Sequence, residues 1–285
     1  MLDIFLERLR QGARTVAYPR EAPVLPPRFR GRPLIDASLC ASTAGCAECA
    51  KVCPTGAIVF ERGQPVLDMG FCIFCGLCSR ACQANALVFT RDWRLATTER
   101  QALLVRPSDV STIGFEENAG ENGSNTSFST GERTGIAPLP VKPALPMADR
   151  FARSFRLRQV SAAGCGACEA DLNVLGTVVF DLARFGIDYV ASPRHADALV
   201  ITGPVPRNMR EALLKCDRAT PRPRAVIAVG ACAISGGVFR SPQAGTSLQE
   251  SEGTPEIMPV DLFIPGCPPH PYTNLDGLLR FLGRI

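Results

Sequence analysis

The 285-residue sequence has no apolar run of 18 residues, so it holds no stretch long enough to cross a bilayer as a helix. It also lacks an excess of one charge. Its 31 basic and 27 acidic residues are scattered along the chain and leave no electrostatic footprint for nucleic acid. No G-x-G-x-x-G follows a strand-like run and there is no Walker lysine loop, which removes the common nucleotide-binding signatures. Residues 1–14 lack the long apolar core of a secretory signal. What remains is an ordinary globular composition, 46% hydrophobic and 20% charged, with length for about two domains. Against that background stand thirteen cysteines, eight of them between Cys40 and Cys82. Without a secretory signal, such density points to a reducing compartment and to metal rather than disulfides.

The first segment, 1–33, opens with Leu2, Phe5, Leu6 and Leu9 at helical spacing and charged residues on the other faces, the pattern of a short amphipathic helix. Residues 18–33 (YPREAPVLPPRFRGRP) are too rich in proline for a helix and read as an extended arm, either wrapped on a partner or strapped to its own chain. Residues 34–106 form a cysteine-rich block with an internal repeat: one cysteine cluster precedes Thr55-Gly-Ala-Ile-Val-Phe60, a second precedes Ala84-Asn-Ala-Leu-Val-Phe89. Between Ser111 and Gly135, sixteen of twenty-five residues are Ser, Thr, Gly or Asn, and Pro138, Pro140, Pro143 and Pro146 follow. Residues 107–150 are therefore expected to be a flexible linker stiffening into polyproline-like chain, with two separately folded halves on either side. In 151–285, apolar runs at 157–162, 187–191, 198–202, 225–229 and 260–264 alternate with helical signals near 169–185, 208–217 and 272–282. That rhythm predicts a doubly wound, flavodoxin-like parallel sheet covered on both faces, in an α/β protein whose N-terminal half is a ferredoxin-like α+β domain.

The ligand spacing is Cys40-x5-Cys46-x2-Cys49-x3-Cys53-Pro54, then Cys72-x2-Cys75-x2-Cys78-x3-Cys82. Bacterial two-cluster ferredoxins use C-x2-C-x2-C-x3-C-P, in which three close thiolates hold one iron-sulfur cube and the fourth crosses to the other. The x2 gaps curl the backbone round one cluster face; the cysteine after x3 is expected to start the following helix and point away. Cys40, Cys46, Cys49 and Cys82 are thus assigned to one 4Fe-4S cluster, and Cys72, Cys75, Cys78 and Cys53 to the other. Two departures stand out: the first gap is x5, and Gln83 replaces the second proline. Structural zinc is the competing chemistry, but its sites pair two distant C-x2-C elements and do not explain the repeat. In the second half, Cys165 and Cys168 follow the first expected strand, Cys232 the fourth and Cys267 the fifth. Open α/β sheets gather their ligands at those strand ends, which gives a third 4Fe-4S site. Cys216 lies in a mixed helix and reads as a small buried hydrophobe. His195 is expected to open a strand, and His270, three residues past Cys267, has either a turn role or a hydrogen-bonding role beside the cluster.

Phe29-Arg-Gly-Arg-Pro33 and Phe71-Cys-Ile-Phe-Cys-Gly-Leu-Cys78 resemble the two-cluster ferredoxin subunit of formate hydrogenlyase-type complexes and, more distantly, the matching subunit of complex I. Cys165-Gly-Ala-Cys168, Arg184-Phe-Gly-Ile187, His195-Ala-Asp197, Gly230-Ala-Cys232 through Gly237, and Pro265-Gly-Cys-Pro-Pro-His-Pro271 resemble the small subunit of group 4 membrane-bound nickel-iron hydrogenases, a family homologous to the 20 kDa subunit of complex I. The complex I branch carries adjacent tandem cysteines at its first ligand position. Here Gly166 and Ala167 separate Cys165 from Cys168, as in the hydrogenase branch. Glu169-Ala170-Asp171 departs from that branch, where the last position is Glu. The resemblance implies an electron-transfer subunit with three 4Fe-4S clusters and no catalytic residues of its own. Its partners would be a large nickel-iron hydrogenase or complex I-like subunit and other subunits of a membrane-bound complex, at the cytoplasmic side of the cell membrane as a peripheral protein. Rival expectations are a complex I-like quinone reductase subunit, a freestanding ferredoxin and a zinc-stapled interaction protein.

Overall fold

A computed structural model of the chain describes residues 2–12, 14–40, 45–108, 115–116, 132–133, 136–143, 154–240 and 253–285. The tip of the Cys40–Cys46 loop and most of the expected linker lie outside the described residues. Helix α1 (Leu2–Gln11) forms as its periodicity predicts, with Phe5 and Leu9 exposed. Strand β1 (Pro33–Ile35) follows the arm, then α2 (Glu48–Lys51), β2 (Ile58–Glu61), β3 (Gln64–Asp68), α3 (Leu77–Ala81), β4 (Leu87–Phe89) and β5 (Leu104–Val105). β1 pairs antiparallel with β4, and β2, β3 and β5 form an antiparallel sheet. The sequence repeat recurs in the backbone. Gly56 and Asn85 occupy the same repeat position, both are left-handed (φ +63° and +52°), and each donates its N–H to the carbonyl of Cys53 or Cys82. Glycine and asparagine are the residues that enter this region at least cost.

Phe115–Glu116 (β6) pairs with Glu132–Arg133 (β7), after which the second half begins. Its elements are β8 (Phe155–Ser161), α4 (Ala167–Val174), β9 (Ile187–Tyr189), β10 (Ala198–Thr202), α5 (Arg207–Ala219), β11 (Ala225–Val229), α6 (Ala231–Ser235), β12 (Leu262–Ile264) and α7 (Pro271–Phe281). The five strands form one parallel sheet in the order β9-β8-β10-β11-β12. This is the 2-1-3-4-5 order of flavodoxin-like folds, whose topological switch point lies between the first and third strands, here β8 and β10. All five residues of β10 are buried. Ala198 and Val200 face the α7 side, and Leu199 and Ile201 face α5, as a strand covered on both faces requires. The helix expected over 169–185 stops at Val174. A 3-10 turn, Leu182–Phe185, replaces its second half, because Gly176 and the β-branched Thr177-Val178-Val179 disfavour continuation. His195 ends a separate 3-10 turn before β10 rather than opening the strand.

The two halves share a core. Ile35, Leu67, Met69, Leu87, Phe89 and Leu103 pack with Ala228, Ala233, Ile234 and Phe263 of the second half. Thr97 exchanges two backbone hydrogen bonds with Phe263 and so covers the outer edge of β12. Ser235 Oγ donates to the Gly70 carbonyl at 2.8 Å in the interior. Residues 136–143, inside the expected flexible linker, are docked: Ile136 packs on Leu34, Leu139 enters the shared core, and their carbonyls accept from Arg94 and Arg280. The arm is likewise a strap on its own chain. Thr15 and Val16 donate to the Val178 and Val179 carbonyls, Gly31 and Arg32 to those of Thr90 and Asp92. Tyr18 OH donates to Asp276 Oδ1 at 2.7 Å, where Arg280 holds the other carboxylate oxygen. Burial and the Asp276 carboxylate push the Tyr18 phenol above its ordinary range.

This packing can be checked in solution. Cleavage at a protease site engineered into residues 122–125 is expected to leave the fragments associated in size-exclusion chromatography, and their separation without denaturant would contradict the shared core. Tyr18→Phe leaves a buried carboxylate oxygen without its phenol donor and is expected to cost about 1–3 kcal/mol in a denaturant melt.

Candidate metal centres

Short helices place the ferredoxin-block cysteines. α2 carries Cys49 and α3 carries Cys78; Cys82 caps the end of α3, and Cys53 follows α2 just before Pro54. The cysteines after x3 therefore end helices rather than start them, since Pro54 and the left-handed turns at Gly56 and Asn85 redirect the chain into β2 and β4. Redirected in this way, Cys53 joins Cys72, Cys75 and Cys78 around a small hollow walled by Ile58, Leu67 and Phe89. Cys49 has Cys82, Cys40 and Cys46 as neighbours. Cys53 thus lies beside cysteines of the second run, and Cys82 beside one of the first. Backbone amides address the sulfurs: Ala57 N donates to Cys53 Sγ at 3.2 Å and Phe74 N to Cys72 Sγ at 3.3 Å.

The third group lies at the carboxyl ends of the parallel strands. Cys165 and Cys168 follow β8, Cys232 follows β11 and Cys267 follows β12, and all four line a second small hollow beside the β8/β10 switch point. Two glycines permit this approach: a Cβ at Gly230 would sit 2.6 Å from Cys168 Sγ, and one at Gly237 2.8 Å from Cys232 Sγ. Glu169 lines this hollow beside the cysteines. Its Oε1 accepts from Ser161 Oγ and Thr202 Oγ1, both at 2.6 Å, tying β8 to β10. Burial raises its carboxyl, but these two bonds outweigh burial and hold it below the ordinary range.

The thiols themselves test the fit of a metal group. Burial, then the neighbouring cysteines, push Cys78 up to about 12 and Cys232 up to about 12, and shift Cys72 and Cys168 upward as well. Such thiols ionise only when a cation compensates them, and binding releases their protons. Among the described residues no three Cys, His, Asp or Glu side chains converge tightly enough for one metal ion. The sites are also serially adjacent: Cys78 neighbours Cys49, and Cys75 and Cys267 line one cleft with Arg28, Arg30, Asp171 and His270.

Comparison with known proteins agrees with this geometry. Residues 165–281 match the family described as NADH ubiquinone oxidoreductase, 20 Kd subunit, and residues 32–83 match the 4Fe-4S dicluster domain. A probable membrane-bound hydrogenase subunit mbhJ of Pyrococcus furiosus is 39% identical over 47% of this chain and 77% of its own length. The chain belongs to the 20 kDa subunit family. Formate hydrogenlyase subunit 7 of Escherichia coli is 41% identical over 48% of this chain, which spans about half (51%) of that relative. An NADH-quinone oxidoreductase subunit of Desulfovibrio desulfuricans is 38% identical over 41% of this chain and 61% of its own length. In this chain the dicluster match lies ahead of the 20 kDa-type match.

His270 caps α7, its Nδ1 accepting from Tyr272 N at 3.2 Å, with its ring stacked on Tyr272. The turn role is therefore filled, and the ring also faces the Cys267 cleft. Cys216 packs at the edge of the cluster formed by Leu199, Ile201 and Leu213, as expected of a small hydrophobe. Sequence reasoning missed Arg30, which reaches the Cys75 turn from 45 positions upstream; no spacing rule signals such a contact. The crossed grouping predicts the phenotype of one substitution. The reduced Cys53→Ala chain is expected to lose the same EPR signal as Cys72→Ala, and loss of the Cys49→Ala signal instead would refute cross-ligation.

Proposed function

We propose that this chain is the electron-transfer subunit of a membrane-associated, group 4-type nickel-iron hydrogenase complex, and that it carries three 4Fe-4S clusters. The residue sets are Cys40, Cys46, Cys49 and Cys82; Cys53, Cys72, Cys75 and Cys78; and Cys165, Cys168, Cys232 and Cys267. The observation that supports this most is the grouping of the cysteines: Cys53, Cys72, Cys75 and Cys78 line one hollow, Cys165, Cys168, Cys232 and Cys267 another, and Cys40, Cys46 and Cys82 neighbour Cys49. Bound there, a 4Fe-4S cluster supplies reversible one-electron chemistry at a potential set by charge, hydrogen bonds and solvent exposure. The chain's own residues set those terms: Ala57 and Phe74 amides donate to sulfur, and Ile58, Leu67 and Phe89 exclude water. Reaction chemistry belongs to a partner large subunit meeting the third site, where Cys165 and Cys267 are exposed. The proposed association is peripheral, on the cytoplasmic side, in keeping with relatives that are subunits of membrane-bound complexes; among the described residues no helix is long and apolar enough to cross a membrane.

A complex I-like quinone reductase setting is the second reading, favoured by the NADH-quinone oxidoreductase relatives at comparable identity. The Gly166-Ala167 spacer between Cys165 and Cys168 weighs towards the hydrogenase branch. The domain reading that accompanies the proposal is a dicluster domain at 34–106 and a 20 kDa-type domain at 151–285.

Iron and acid-labile sulfide analysis tests the proposal. About twelve irons per chain, four for each cluster, are expected, and stoichiometric zinc in their place would refute it. Every C-x2-C pair is committed to one of the three sets, so the reconstituted chain alone is expected to bind no stoichiometric nickel and to accept electrons from a low-potential dye without evolving hydrogen. Turnover by the isolated chain would overturn the relay reading.

A further inference from the structure

The cleft shared by Cys75 and Cys267 carries an arginine that the ligand sets leave unused. Residues 73–76 form the turn that presents Cys75, with Phe74 and Gly76 both left-handed (φ +53° and +75°). Arg30, from the N-terminal strap, lies on this turn. Its Nη1 donates to the Phe74 carbonyl at 3.2 Å, and its Nε would stand 2.8 Å from a Cβ at Gly76. Gly76 also lines the hollow enclosed by Cys53, Cys72, Cys75 and Cys78. One residue without a side chain therefore separates the guanidinium from that hollow. The preceding residue, Phe29, meets His270 on the Cys267 loop with ring centroids 5.4 Å apart, which anchors the strap on both sides of the cleft.

We propose that Arg30 is a positioning residue that fixes the Cys75 turn and, through its permanent charge, raises the reduction potential of the cluster held by Cys53, Cys72, Cys75 and Cys78. A cation beside a cluster favours the reduced form, which is the more negative one, and the effect is strongest where the intervening wall is thin and dry. The inference rests on the cluster assignment proposed above. It goes beyond that assignment by naming the side chain that sets the middle site's potential relative to the site at Cys267.

The experiment is an EPR-monitored redox titration of the full chain, following the signal that Cys72→Ala removes. Arg30→Gln is expected to lower that midpoint by roughly tenfold in the reduced-to-oxidised ratio, about 59 mV for one electron. Arg30→Lys keeps the charge and is expected to stay near the wild-type midpoint. Arg30→Met, which keeps the aliphatic packing on Gly76, serves as the neutral variant if Arg30→Gln fails to load iron. Unchanged midpoints in fully loaded neutral variants would overturn the proposal, and so would equal shifts in the neutral and lysine variants, which would mark a purely structural role. A wild-type chain that never acquires the Cys72-dependent signal would instead refute the cluster assignment.

Discussion

Four desolvated sulfurs, drawn from segments far apart in sequence and each disfavouring charge on its neighbours, must be held round one hollow without collapsing together. The rest of the molecule can be understood from that constraint. Cys53 lies 19 residues from Cys72, and Cys168 lies 64 from Cys232, so no local spacing can hold the sets; the surrounding backbone has to be fixed first. In the ferredoxin block the fixing device is repetition, the same helix, cysteine, left-handed turn and strand used twice, so that each half sends its last cysteine across to the other. In the second half it is the parallel sheet, whose carboxyl strand ends carry all four cysteines beside the switch point.

Holding the third site at a defined place relative to the other two requires the two halves to be one body. The contacts that achieve this come from segments with little secondary structure. The strap at 15–33 and the docked stretch at 136–143 run across both halves, and their carbonyls accept from arginines at Arg94, Arg184 and Arg280. Proline-rich chain is suited to the task, because it remains extended without a partner strand and offers carbonyls without competing donors. The Tyr18–Asp276–Arg280 group then joins the strap to the last helix with the carboxylate satisfied on both oxygens.

Cysteine spacing, sheet class and strand positions were legible in the sequence because each is written locally: ligand geometry in gaps of two and three residues, strands in short apolar runs. The crossing cysteines were legible too, although the helices they were expected to start turned out to be the helices they end. The docking of 136–143 was not legible, because proline spacing describes backbone stiffness and says nothing of which arginines, 42 to 141 positions away, will find the carbonyls. Arg30 was hidden for the same reason: its partner is a main-chain carbonyl in a turn whose shape depends on Gly76, and neither leaves a compositional trace.

Exposure along the three sites follows from this construction. Cys72 and Cys78, in the middle set, are buried, whereas Cys46 at one end and Cys165 and Cys267 at the other are exposed. The core that both halves share packs on the middle set and also on Cys40 and Cys49 of the first, and Cys232 of the third set is buried as well. In the proposed relay, electrons enter and leave at the two outer sets, so the exposed Cys46, Cys165 and Cys267 suit exchange there, and the buried Cys72 and Cys78 suit a middle site whose potential the chain itself sets. Shared packing between the halves thus fixes the three cysteine groups relative to one another and buries Cys72 and Cys78 within the core that both halves build.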